Sequence, residues 1–319
     1  MPIQPPLTPA PMRNDPAHRR RRFRRRGRRA YIRSVYFLPS LATLGNAVCG
    51  FGAMYVAALA TAALQSGEMS LILTDPITAF FARHGFPAAA YLLFAAMVFD
   101  ALDGRLARFT RHTTDFGGQL DSLADVISFG AAPAFIALQL FKAEGPTHLP
   151  YMISRLIWAI GALFFSCAAI RLARFNVSNK HGEQHHFSFL GLPSPGAGGA
   201  IAAWILMQQD LRHWAAERAL SGFASGLINT LANAALALLP ILLLATGLLM
   251  ISHFRYPHLV NRYLRGRRSL ARLILVLILL LLLFVWHQYT LAVGLTLYAF
   301  WGPTTWLQAR LKTWTPAPK

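Results

Sequence analysis

Acidic residues are scarce in this chain. Twelve Asp and Glu stand against 31 Lys and Arg, and charged residues fill only 13% of its 319 positions. That excludes an ordinary soluble domain, whose surface carries charges of both signs. Cysteine is nearly absent. Cys49 and Cys167 both fall in apolar stretches, where they read as small buried residues and give neither a disulfide framework nor a thiolate zinc site. A signal-peptide core of about 7–15 residues is missing too. The apolar sequence after the N-terminal arginines continues at full spanning length, so no cleavage is expected. No inverted repeat is visible, which weighs against a transporter built from two such halves.

What is present is hydrocarbon. The chain is 55% hydrophobic, with a mean hydropathy of +0.41. Reading for apolar runs of about 20 residues predicts roughly eight spans, at 37–64, 87–109, 118–141, 152–173, 190–208, 227–252, 270–287 and 289–309. The expected fold class is all-α, a polytopic membrane helical bundle of about eight transmembrane helices. The expected division is a disordered Arg-rich cytoplasmic arm over 1–34, a membrane core over 35–252, and a loop with a helical hairpin over 253–319.

The basic charge is uneven. Eleven arginines lie between Arg13 and Arg33. Such a run marks the cytoplasmic side and attracts anionic lipid head groups, at about 1 kcal/mol per residue near the surface. Only Phe23 interrupts it with an aromatic ring, so an anionic bilayer is the expected partner and no nucleic acid is expected. Alternation then places 109–117, 174–189, 253–269 and the C-terminus inside, and 65–86, 142–151 and 210–226 outside. Arginine and lysine are in excess on the inside segments.

Against this background, Asp100, Asp103, Asp121 and Asp125 stand within predicted spans. Each aspartate near the middle of a span costs roughly 2.5–3.5 kcal/mol on insertion scales, so four without partners cost on the order of 10 kcal/mol. Asp100 and Asp103 are three apart, and Asp121 and Asp125 four apart, so each pair shares a helix face. The short loop 109–117 makes the two helices antiparallel, so the faces can oppose each other at the cytoplasmic end. Four converging carboxylates form a hard, oxygen-rich site suited to Mg2+ or Mn2+, with ligands enough for two ions. No histidine lies within the helical parts of the cluster, which argues against zinc. Gly104, Ala107, Gly117 and Gly118 are small, which allows either close helix packing or close approach of a ligand. Arg108 beside the cluster suits a phosphate clamp.

These residues resemble the signature of the CDP-alcohol phosphatidyltransferases. Asp100, Asp103, Gly104, Ala107, Arg108, Gly117, Asp121 and Asp125 fill its eight fixed positions within 26 residues. The resemblance implies a six-helix core, two divalent ions on the aspartates holding the pyrophosphate of a CDP-linked substrate, and a homodimer. It implies that Asp125 acts as the catalytic base besides being a ligand.

Three stretches are similar to the bacterial phosphatidylserine synthase branch of that family: FLPSLATLGNAVCGFGA at 37–53, DSLADVISFGAAPA at 121–134, and RLARFNVSNKHGEQHHFSFLGLPSPGAGGA at 171–200. Ser40 departs from the pattern, which more often has Asn there. This resemblance implies transfer of a phosphatidyl group from CDP-diacylglycerol to L-serine in a bacterial inner membrane, with CMP released on the cytoplasmic side. It assigns Asn46 to CDP-diacylglycerol. It also points to Arg171, Arg174 and Asn176 for the serine carboxylate or phosphate, since a guanidinium can pair with a carboxylate bidentately. Pro193 and Pro195 break regular helix at membrane depth, where irregular backbone normally lines a cavity. Another acceptor alcohol within the family, an ion-coupled transporter and a membrane scaffold are the competing readings.

Overall fold

Apolar runs punctuated by Gly, Pro and polar residues fold here as helical rods that alternate in direction. The computed structural model describes residues 16–66, 76, 79–80, 84–110, 115–146, 150–180, 188–217, 222–257 and 270–314. The helices are α1 (Pro16–Ser66), α2 (Gly85–Thr110), α3 (Asp115–Asp125), α4 (Ala132–Glu144), α5 (Tyr151–Lys180), α6 (Ser194–Glu217), α7 (Gly222–Ile251), α8 (Leu270–Val285) and α9 (His287–Trp314). A π-helical segment over Val126–Ala131 joins α3 to α4, so the two run on as one rod.

Five stretches are long and apolar enough to cross a membrane: Ser40–Gln65, Gly85–Leu106, Phe116–Glu144, Tyr151–Val177 and Gly222–Ile251. The finer expectation of eight spans meets a physical complication in α6. Its residues Ala197, Ala200, Ile201, Ala202, Ala203 and Ile205 are fully buried. Protein, rather than lipid, surrounds much of this helix, so it can be built from small side chains of low hydropathy. A Cβ at Gly198 would stand 3.1 Å from Pro133, and one at Gly199 3.2 Å from Met97. Glycine at those positions lets neighbouring rods approach closely. By contrast α8 exposes Ile274 to Val285 on every side and lies at the periphery.

The N-terminal arm corrects one expectation. Residues 1–15 lie outside the described part, but α1 begins at Pro16 and runs through the arginines without a break. The run expected to be disordered to residue 34 is therefore helical from Pro16. Proline suits the first turn of a helix. Arginine is among the better helix formers, and the apolar half of α1 supplies the nucleus that a short isolated arm would lack.

Contacts between rods fix their relative direction. Thr43 reaches Asp103, while a Cβ at Gly85 would crowd Ala60, so α1 and α2 are antiparallel. Trp204 donates to the Ala235 carbonyl at 2.8 Å, and Arg212 to Asn233 at 3.0 Å, tying α6 to α7. Gln208 and Gln209 donate to Glu144 at 2.8 and 2.7 Å, with Arg212 at 3.3 Å. That network lies at the end of the bundle opposite the aspartates.

One small sheet closes the aspartate end. Strand β1 (Ser188–Leu190) pairs antiparallel with β2 (Arg255–Pro257), with Phe189 opposite Tyr256. Gly191 follows in the left-handed region at φ 78°, and its N–H donates to the Phe254 carbonyl at 2.9 Å. A side chain there would strain the backbone and meet the Met250 carbonyl. The linker entering α6 is thereby fastened to the linker leaving α7. Tyr256 is fully buried, and its hydroxyl donates to the Ala299 carbonyl of α9 at 2.8 Å. Burial pushes its phenol up to about 12, with nearby Tyr298 adding to the effect, so it stays a donor at ordinary pH.

Candidate active site

The cluster is built at one end of the bundle, where α1, α2, α3 and α5 meet. Carboxylate oxygens of Asp100, Asp121 and Asp125 all lie within 4.8 Å of one another. The i, i+4 spacing of α3 and the antiparallel crossing of α2 bring them together, as the two-face argument requires. Asp103 is not one of this trio. It is buried, and its carboxylate accepts a hydrogen bond from the Thr43 hydroxyl of α1.

Helix α1 supplies a second contact one turn on. Asn46 is fully buried, and its Nδ2 donates to Asp125 Oδ1 at 3.0 Å. The π-helical segment makes this possible. It begins directly after Asp125 and turns Ser128 toward α1, where the hydroxyl donates to the Asn46 carbonyl at 2.8 Å. A Cβ at Gly50 would overlap Ser128, so α1 can come this close only because Gly50 has no side chain. A wider turn adjacent to a functional residue is a recurrent use of π geometry.

Helix α5 contributes the cationic side. Arg171 Nη1 donates to the Ser194 hydroxyl at 2.8 Å, at the first residue of α6. Its charge lies within electrostatic reach of Asp125 and of Tyr298. Asn176 exchanges hydrogen bonds of 2.9 and 3.0 Å with Ser122, the neighbour of Asp121. Arg174 is exposed on the same helix.

The small residues divide cleanly. A Cβ on Gly104 or Gly118 would meet nothing within 4 Å. Close helix packing therefore does not explain them, and each leaves open space beside the carboxylates. Gly117 is half-buried at the start of the same helix. Ala107 and Arg108 continue the backbone of α2, but their side chains lie outside the described part, as do His112, His181, His185 and His186.

The arrangement fits a hard dication. Three carboxylates at this spacing, Asp100 and Asp121 half-buried and Asp125 buried, repel one another, and a divalent cation relieves that repulsion. Two polar atoms beside them, Asn46 Oδ1 and Arg171 Nε, are buried without a protein partner. Orphaned polar atoms of opposite character next to a carboxylate cluster are what a polar ligand would satisfy. Sequence reasoning missed Thr43, Ser122, Ser128 and Ser194. Two had a usable signal: Thr43 precedes Asn46 by three, on one helix face, and Ser194 sits between the two prolines that break the helix.

Comparison with known proteins gives a consistent picture. Residues 36–252 match the model of the CDP-alcohol phosphatidyltransferase family. The chain is 34% identical over 244 residues to the CDP-diacylglycerol–serine O-phosphatidyltransferase of Helicobacter pylori, covering 76% of this chain and 90% of that protein. It is 36% identical over 171 residues to the protein of that name in Methanocaldococcus jannaschii, covering 54% of this chain and 64% of that one. To the archaetidylserine synthase of Methanothermobacter thermautotrophicus it is 34% identical over 172 residues, covering 53% and 58%.

Proposed function

The chain belongs to the CDP-alcohol phosphatidyltransferase family, and from that premise we propose that it is a phosphatidylserine synthase, transferring the phosphatidyl group of CDP-diacylglycerol to L-serine. The observation that carries the reading is the convergence of Asp100, Asp121 and Asp125 beside the cationic Arg171. The relatives' names support serine as the acceptor.

Asp100, Asp121 and Asp125, with Asp103 beside them, would hold one or two Mg2+ or Mn2+ ions, which neutralise a pyrophosphate and stabilise the departing CMP. The chain's own residues do the rest. The serine hydroxyl oxygen forms a bond to the lipid-linked phosphorus as the bond from phosphorus to the CMP oxygen breaks. Asp125 accepts the hydroxyl proton. Asn46 holds its Oδ1, which orients the carboxylate and leaves Oδ2 for the proton. Arg171 pairs with the serine carboxylate through the edge that Ser194 does not occupy, with Arg174 and Asn176 at the rim. The open sides of Gly104 and Gly118, with Ala107, Gly117 and Arg108, accommodate the CDP moiety.

The same reading makes the protein a homodimeric, multi-pass protein of a bacterial inner membrane. Eight rods cross the bilayer, both termini and the site are cytoplasmic, and the lipid tails stay in the hydrocarbon layer. Membranes carrying the wild type and Asp121→Asn, supplied with CDP-diacylglycerol and a panel of alcohols with and without Mn2+, test the proposal. The expected result is CMP release with serine and added metal by the wild type only, at equal amounts of inserted protein. Release with glycerol 3-phosphate instead of serine would refute the acceptor, and an active Asp121→Asn variant would refute the metal site.

A further inference from the structure

Helix α9 lies outside the 36–252 stretch that matches the family, yet it reaches the candidate site. Tyr298 projects from it toward the start of α6. A Cβ at Gly196 would stand 3.1 Å from its ring, so the ring occupies space that only glycine leaves. The position is held from the other side. The Tyr256 and Tyr298 rings lie 5.8 Å apart, and the Tyr256 hydroxyl is bonded to the carbonyl of Ala299, the next residue along α9. At Gly302, one turn further, a Cβ would collide with the Tyr256 ring at 2.7 Å. The β1–β2 pairing carries Tyr256 and fastens the chain that enters Ser194. One continuous set of contacts therefore runs from α9 through the small sheet to the first turn of α6. Tyr298 also faces a cavity of about 460 Å3, lined by Met97, Pro193, Gly196, Thr290 and Leu295 among others.

This set ends on Arg171. Its guanidinium is bonded to Ser194 through Nη1, is within electrostatic reach of Tyr298, and has its buried Nε without a protein partner. A buried guanidinium has five donors in a rigid plane, so a small rotation decides which edge a ligand meets. Ser194 fixes one corner, and the Tyr298 ring packs against Gly196, two residues beyond Ser194. We propose that Tyr298 is a positioning residue that sets the orientation of Arg171 for the acceptor's carboxylate, so that the C-terminal helix contributes to acceptor specificity. The inference rests on the serine reading above, with Arg171 as the carboxylate partner. Tyr298 takes no part in bond breaking.

The test is steady-state CMP release by full-length wild type, Tyr298→Phe and Tyr298→Leu in membranes, with serine and CDP-diacylglycerol varied in turn. Loss of the Ser194 hydrogen bond that orients Arg171, a contact to a charged group, corresponds to a roughly tenfold or larger change in affinity. The expected result is a rise of that size in KM for serine in Tyr298→Leu, which removes the ring against Gly196, and a smaller one in Tyr298→Phe, which keeps it. KM for CDP-diacylglycerol and kcat should stay within twofold. A structural defect would instead lower kcat or the amount of active protein and leave the serine KM alone. A Tyr298→Leu enzyme with unchanged serine KM, or with both KM values raised equally, overturns the proposal. If the wild type itself ignores serine and uses another alcohol, the serine reading fails separately, and that alcohol's KM becomes the quantity compared.

Discussion

Asn46 concentrates the chemistry of α1 in one side chain. Its Nδ2 holds Asp125 at 3.0 Å, its carbonyl accepts from Ser128 at 2.8 Å, and its Oδ1 is buried without a protein partner. Replacing it with Ala leaves the backbone contact and removes both amide atoms. A hydrogen bond to a charged group contributes about 1.5–3 kcal/mol. If that contact orients Asp125 for proton transfer, Asn46→Ala should lower kcat by roughly tenfold or more, with CMP release measured at saturating serine. A kcat within twofold of wild type would show that Asp125 keeps its orientation without Asn46. At this scale the identity of the aspartates was legible from spacing, because i, i+3 and i, i+4 intervals fix a helix face. The partition among them was not. That Asp103 turns to Thr43 while the other three converge depends on α1, which lies far away in sequence.

At the scale of elements, the glycines separate packing from ligand space. Gly50 lies under Ser128 of the π-helical segment, whereas Gly104 faces open space. Gly50→Ala should destabilise the protein by about 1–3 kcal/mol, the usual cost of overpacking a tight contact. Gly104→Ala should leave stability unchanged or raised by up to about 1 kcal/mol, because Ala is the better helix former. It should nevertheless slow CMP release, since its methyl enters the space left for the diphosphate. Thermal unfolding in detergent alongside the activity assay reads both. If Gly104→Ala is as active as wild type, that space is not where the substrate lies. The helices themselves were readable from hydropathy, but the π-helical segment was not. Nothing in VISFGA distinguishes a wider turn locally, and the close approach of α1 accompanies it.

For the whole molecule, alternating rods put the aspartates, Arg171 and the β1–β2 sheet at one end, and the Glu144 network at the other. In the proposed orientation, which follows the N-terminal arginines and the positive-inside rule, the first end faces the cytoplasm. Tyr151 and Phe116 are both well exposed, at 67% and 72%, near opposite ends. In a background with Cys49 and Cys167 changed to Ala, Tyr151→Cys should react with a membrane-impermeant maleimide in intact cells. Phe116→Cys should react only after permeabilisation. The reverse pattern would invert the topology and remove the cytoplasmic site.

Resemblance to a known signature pointed to the reaction family, while composition and spacing by themselves determined the membrane class, the helical rods and the two aspartate faces. These follow from local rules: the length of an apolar run, the pitch of a helix, and the cost of a charge in hydrocarbon. Tertiary structure alone decided what each face meets. It gave Asp103 to Thr43, Asp125 to Asn46 and Arg171 to Ser194, and it brought Tyr298 of the last helix beside α6. Those pairings join residues up to more than a hundred positions apart. Packing of side chains from different rods sets them, and no periodicity along a single helix records which rod will be its neighbour.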